Sequence, residues 1–85
     1  MGVIMNIYVG NLPPKATEWN IRKLFDHYGK VGNITWDKPT EQAQLFLFCF
    51  VEMPFDKQAA MAIDKLNGSK LYDYILTVKE SGVSS

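Results

Sequence analysis

Apolar and polar residues along this chain follow two different periods. Short β-favouring stretches occupy residues 5–9, 31–36, 45–53 and 74–79, and turn-forming Gly, Pro, Asn or Asp residues lie between these stretches. The four stretches predict four strands.

Two other stretches repeat their apolar residues at helical spacing. The first begins after Thr17, the expected N-cap, and ends before Gly29, which is placed for a left-handed C-cap. Its apolar face consists of Ile21, Leu24, Phe25 and Tyr28. The second, which is closed by an Asn-Gly pair, presents Ala59, Ala60, Ile63 and Leu66.

The resulting element order is βαββαβ, which predicts an α+β fold. In a chain of 85 residues, both helices must cover the same sheet face to build one core. The opposite face of the sheet is then left without a covering layer.

The alternation of side chains along a strand indicates which residues reach this open face. The inward set of the first and third strands is small and apolar: Ile7, Val9, Leu47, Cys49 and Val51. The outward set is aromatic: Tyr8, Phe46, Phe48 and Phe50. An exposed aromatic cluster usually marks a binding surface, and nucleobases are suitable partners because each has a flat π face.

Two motifs place the chain near a known family. Residues 7–12 (IYVGNL) resemble the hexamer motif of the RNA recognition motif family, and residues 46–53 (FLFCFVEM) resemble its octamer motif. The short chain most resembles the small single-domain RNA-binding proteins of bacteria. The resemblance implies a ferredoxin-like sandwich whose four-stranded antiparallel sheet has the order 4-1-3-2, with both helices on one face.

The resemblance also implies a function, which is non-catalytic binding of short single-stranded RNA. Tyr8 and Phe50 would each stack on a base, and Phe48 would lie against a sugar. Phe46 is either a third stacking platform or a cover for its own loop. Polar residues expected near the same surface, where they would read base edges or contact phosphate, are Asn6, Asn33, Thr35, Thr77 and Lys79.

The charge pattern limits how tightly RNA is held. Nine basic and nine acidic residues give a formal net charge of zero, whereas affinity for a phosphate backbone comes largely from cations. The octamer begins with Phe46 where the family has Lys or Arg. We therefore expect weak binding by stacking. The alternative is a protein-binding or self-associating module that uses the same aromatic face.

Other functions have little support in the sequence. Arg22 lies within the first predicted helix, and His27 and Cys49 are the only residues of their types, so we expect no catalytic site, metal or cofactor. No apolar run is long enough for a membrane span. We expect a cytoplasmic monomer with one domain over residues 5–80 and flexible termini at 1–4 and 81–85.

Overall fold

The computed structural model describes residues 4–37 and 47–84. Its elements, in chain order, are β1 Ile4–Leu12, α1 Glu18–Asp26, β2 Ile34–Asp37, β3 Leu47–Met53, α2 Asp56–Leu66, β4 Lys70–Leu71, β5 Tyr74–Ile75 and β6 Thr77–Ser84. Within these residues, neither helix is long and apolar enough to cross a membrane.

The long strands form a four-stranded antiparallel sheet in the order β2-β3-β1-β6. Because β6 is the fourth long strand, this is the order 4-1-3-2, and the predicted ferredoxin-like α+β sandwich is confirmed. The two short strands β4 and β5 pair with each other in a separate hairpin.

The core lies between the helices and one face of the sheet. It is built from residues that are at most 5% exposed: Ile7, Val9, Leu12, Ile21, Phe25, Cys49, Val51, Met53, Ala59, Ala62, Leu66, Leu76 and Val78. Burial raises the pKa of the Cys49 thiol to about 12, so this residue acts as a small apolar group. In α2 the buried alanine beside Ala59 is Ala62 rather than the predicted Ala60, which is exposed.

Helix α1 begins as the sequence predicts. The hydroxyl of Thr17 accepts a hydrogen bond from the backbone N–H of Asn20, and the side chain of Asn20 accepts one from the backbone N–H of Thr17. This capping box satisfies two N–H groups that have no partner within the helix. The predicted left-handed C-cap at Gly29 is wrong. The helix ends at Asp26, and its C-cap is His27, whose backbone has right-handed helical φ and ψ angles.

The ends of the strands differ from the predicted ones. Residues 74–79 were predicted as one strand, but they are divided between β5 and β6, and β6 continues to Ser84. Residues 81–84 contain Ser and Gly, which favour strands weakly. Their backbone nevertheless pairs with the start of β1, where Ile4 lies opposite Ser84 and Asn6 opposite Gly82. The domain bounds of 5–80 and the flexibility of the two termini stay predictions.

Strand β2 starts at Ile34 rather than at the predicted Val31, although residues 32 and 33 still form backbone hydrogen bonds with β3. The backbone N–H of Gly32 donates to the carbonyl of Glu52, and the N–H of Glu52 donates to the carbonyl of Asn33. The guanidinium of Arg22 donates to the carbonyls of Val31 and Gly32 at 3.5 and 3.1 Å. These bonds fix the segment that leads into β2.

Candidate nucleic-acid interface

The strand register places four of the predicted site residues in one row across the open face. Tyr8 lies opposite Phe50 on one side and opposite Lys79 on the other. Phe50 in turn lies opposite Thr35 of β2. The row therefore crosses all four strands, on the face away from the helices.

Three aromatic rings form the centre of this face, and we call Tyr8, Phe48 and Phe50 the aromatic triad. Their ring centroids are 5.6 Å apart for Tyr8 and Phe48, 5.9 Å for Tyr8 and Phe50, and 5.8 Å for Phe48 and Phe50. Two of the three pairs meet edge to face, which is a favoured geometry for aromatic side chains. The triad is therefore a packed platform rather than three independent side chains.

Each ring of the triad is half-buried, although no helix covers it. The three rings cover one another, and this mutual contact accounts for the lost exposure. Part of each ring remains open to solvent and available for a stacking partner.

Lys79 supplies a positive charge to the triad. Its Nζ lies over the Tyr8 ring, 5.3 Å from the ring centroid, within the range of a cation–π contact. A ligand that stacks on this face of Tyr8 would have to displace the ammonium group from the ring. Lys79 is exposed and can then reach a phosphate group of the ligand.

Gly10 determines where the Tyr8 ring lies. A Cβ atom added at position 10 would lie 2.6 Å from Cε2 and Cζ of Tyr8, and nearer still to its hydroxyl oxygen. The ring thus folds along β1 and rests on the bare backbone of Gly10. No side chain can occupy this space while Tyr8 keeps its position.

Gly10→Ala is therefore expected to displace the Tyr8 ring and to weaken RNA binding about tenfold, because one base–aromatic stack contributes about 1–3 kcal/mol. The stability should change little, since the clash is with the far end of a flexible side chain. RNA titration and thermal unfolding of the same variant check both parts.

Gly32→Ala is the matched control for this variant. Its added Cβ would come no closer than 3.4 Å to a neighbouring atom, and the three nearest atoms all belong to Glu52 rather than to the triad. Equal RNA affinities for the two variants would contradict the role of Gly10.

The remaining predicted polar residues lie around the triad. Thr77 is opposite Gly10, and Asn6 is opposite Glu52. Asn33 precedes β2 and is exposed. Phe46, the other aromatic residue predicted for this face, lies outside the described residues.

Sequence reasoning missed Glu52 as a member of the open face. It lies two residues beyond Phe50 on β3, so that the strand period places both on the same side. Its carboxylate brings a negative charge and hydrogen-bond acceptors to the end of the face near Asn6 and Asn33. The two-residue period that identified the phenylalanines would also have identified Glu52.

Arg22 is engaged elsewhere, as its position within α1 predicted. Besides its two carbonyl bonds, its guanidinium lies 3.6 Å from the carboxylate of Glu18. Cationic contacts to a ligand on the open face must therefore come from lysine. Among residues 4–37 and 47–84, no three His, Cys, Asp or Glu side chains are grouped so that they could hold a metal ion.

The fold and the triad agree with a family assignment. The family model described as RNA recognition motif matches residues 7–77. The chain therefore belongs to the RNA recognition motif family, a class of non-catalytic binding domains, and the resemblance seen in the hexamer and octamer motifs is confirmed.

Curated relatives include proteins of the cyanobacterium Nostoc sp. (strain PCC 7120). The chain is 39% identical over 66 residues to one named "Putative RNA-binding protein RbpD", a match that covers 78% of this chain and 70% of that protein. It is 32% identical over 77 residues to "Putative RNA-binding protein RbpE", which covers 91% and 78%. These names agree with the likeness to small bacterial RNA-binding proteins.

Solved structures share the fold closely. The third RNA recognition motif of Pes4 superposes with a TM-score of 0.82 at 22% identity, over 94% of each chain. The crystal structure of the RNA binding protein PG1 gives 0.76 at 34% identity, over 91% of this chain and 93% of that one. The Rna15 domain, solved with bound RNA (GU), gives 0.75 at 27% identity, over 89% and 81%.

Proposed function

We propose that this protein binds short single-stranded RNA by stacking bases on the aromatic triad, without catalysis. The observation that carries the proposal is the triad itself, three rings within 6 Å of one another on the sheet face opposite the two described helices. Tyr8 and Phe50 would each hold a base, and Phe48 would contact a sugar. Single strands are the suitable target because their bases are already free of a duplex.

Two comparisons support this proposal. The Rna15 domain, which shares 27% identity with this chain, was solved with RNA bound. The cyanobacterial relatives are named for RNA binding. Both observations concern other proteins, which share their fold or 27–39% of aligned residues with this chain.

The expected binding is weak and depends little on salt. Stacking supplies about 1–3 kcal/mol per base, and the ordering of a flexible strand offsets part of it. Lys79 is the cation placed over the triad, and the net charge of the chain is zero. Few phosphates are therefore neutralised on binding.

The test is an NMR titration of labelled protein with short RNA pools of varied sequence. Amide signals of Tyr8, Phe48 and Phe50 should shift, with affinity near the micromolar range. With one or two phosphate contacts, log K should fall against log salt with a slope of about −0.7 to −1.4. If millimolar RNA leaves these three signals unmoved, the RNA proposal is wrong for this chain.

A protein partner or a second copy of this chain is the competing candidate for the same face. It is favoured by the zero net charge and by aromatic surface that remains open to solvent. Sedimentation would then show a mass that rises with concentration, and RNA would fail to compete. We expect instead a monomer whose triad signals respond to RNA alone.

A further inference from the structure

We propose that the RNA strand has a second contact site at the end of β1, in a cavity between the loop of residues 13–15 and the β4–β5 hairpin. The site would take a nucleotide that flanks those on the triad. This inference rests on the proposed function and extends it along the strand.

The cavity has the size and lining of a small ligand site. Its volume is about 380 Å³, within the range of ligand pockets. It is lined by Pro13, Pro14, Lys15, Tyr72, Asp73 and Tyr74. Tyr72 and Tyr74 are 53% and 40% exposed. A large part of each side chain is therefore open to a ligand, and exposed aromatic surface often marks a binding site.

The backbone of the hairpin holds these rings outward. Tyr72 and Asp73 both have positive φ angles, 49° and 68°, as a type I′ turn of two residues requires. Aspartate adopts this conformation readily, as glycine and asparagine do, whereas tyrosine does not. Tyr72 therefore occupies a turn position where glycine or asparagine would adopt the positive φ angle at a lower conformational cost.

The charges in the cavity suit a nucleotide. The Nζ of Lys15 lies over the Tyr72 ring, 5.6 Å from its centroid, which repeats the arrangement of Lys79 over Tyr8. A base that stacks on this face of Tyr72 would displace the ammonium group from the ring, and the flexible Lys15 side chain would then pair with the phosphate of the nucleotide. The carboxylate of Asp73 would accept a hydrogen bond from an exocyclic amino group, which cytosine has and uracil lacks.

A direct structural link fixes this cavity relative to the triad. The side-chain amide of Asn11 donates to the carbonyl of Ile75 at 2.7 Å, and this bond ties β1 to the hairpin. Tyr8 and Pro13 are five residues apart, at most about 16 Å, since the chain is irregular at Asn11, whose φ is 58°. One RNA strand therefore has to pass beyond the triad before it reaches the cavity, so that only longer RNAs can use both sites.

The experiment compares a three-nucleotide RNA with the same RNA carrying a tail of five cytidines. The longer RNA should bind the wild-type protein at least about tenfold more tightly, because one more stack and one more phosphate contact are formed. In the variant Lys15→Ala/Tyr72→Ala this gain should disappear, while the trinucleotide binds as before. A tail of five uridines should give a smaller gain than the cytidine tail.

The control is Lys57→Ala/Phe55→Ala, which removes an exposed lysine and an exposed aromatic ring at the start of α2, away from the cavity. It should keep the full gain.

A gain that persists in Lys15→Ala/Tyr72→Ala, as it would if the cavity served a protein, overturns the second site and leaves the triad untouched. Equal gains for the two tails overturn the role of Asp73. Failure of both RNAs to bind the wild-type protein overturns the proposed function together with this inference.

Discussion

Tyr8→Ala/Phe50→Ala is expected to weaken RNA binding by about 2–6 kcal/mol, because each of the two rings provides one base stack of about 1–3 kcal/mol. The dissociation constant would rise roughly 30-fold or more. The two rings pack against each other and against Phe48, so the sum of the two single effects should differ from the double effect by a coupling energy of about 0.5–3 kcal/mol. Isothermal titration with one short RNA measures all three variants.

A matched control removes two aromatic rings outside the sheet. Trp19 is 67% exposed on α1 and Phe55 is 54% exposed before α2. Trp19→Ala/Phe55→Ala should leave RNA affinity unchanged. The stacking mechanism would be refuted if this variant and the triad variant lost the same amount of affinity, or if both kept the affinity of the wild type.

Phe25→Ala is expected to lower the free energy of unfolding of the domain by about 3–5 kcal/mol, because it removes a buried ring and leaves a cavity. Phe25 is the largest of the fully buried side chains, and it fills the space between α1 and the sheet. Domains of this length are stable by roughly 4–13 kcal/mol, so the loss is a large share of the total. The midpoint of thermal unfolding should fall by at least about 12 °C.

Phe55→Ala serves as the control, since the same ring is removed from an exposed site. Surface substitutions usually change stability by about 0.5 kcal/mol or less. Circular dichroism of both variants during heating or in urea gives the comparison. Similar unfolding midpoints for the two variants would show that α1 does not anchor the core as described.

The features predicted correctly from the sequence are those with a strong period. The two-residue alternation in β3 identified Cys49 and Val51 as inward and Phe48 and Phe50 as outward. Thr17 was identified as the cap of α1 because its hydroxyl and the following acidic residue suit a helix start. The strand order came from the family resemblance, not from the pattern.

Elements that depend on tertiary contacts were missed. The β4–β5 hairpin turns at Tyr72 and Asp73, which include neither Gly nor Asn, so no strong local signal predicts it. Residues 74–79 are divided at Leu76, whose backbone bonds to Gly68 and Ser69. The continuation of β6 to Ser84 depends on pairing with β1 rather than on strand-forming residues. Likewise, no local signal shows that Tyr8 rests on Gly10, because the contact depends on the direction of one ring.

The contact between Tyr8 and Gly10 has a consequence for how this protein can change. Along β1 and β3, residues that build the core alternate with residues on the open face, so most substitutions on that face leave the core intact. Substitutions on the open face can therefore change which ligand the domain prefers, in evolution or by design, while the core keeps the fold. Gly10 is an exception, since its lack of a side chain leaves the space that the Tyr8 ring occupies. A designer who changes the specificity of this domain would vary Tyr8, Phe48, Phe50 and their polar neighbours, and would keep position 10 fixed.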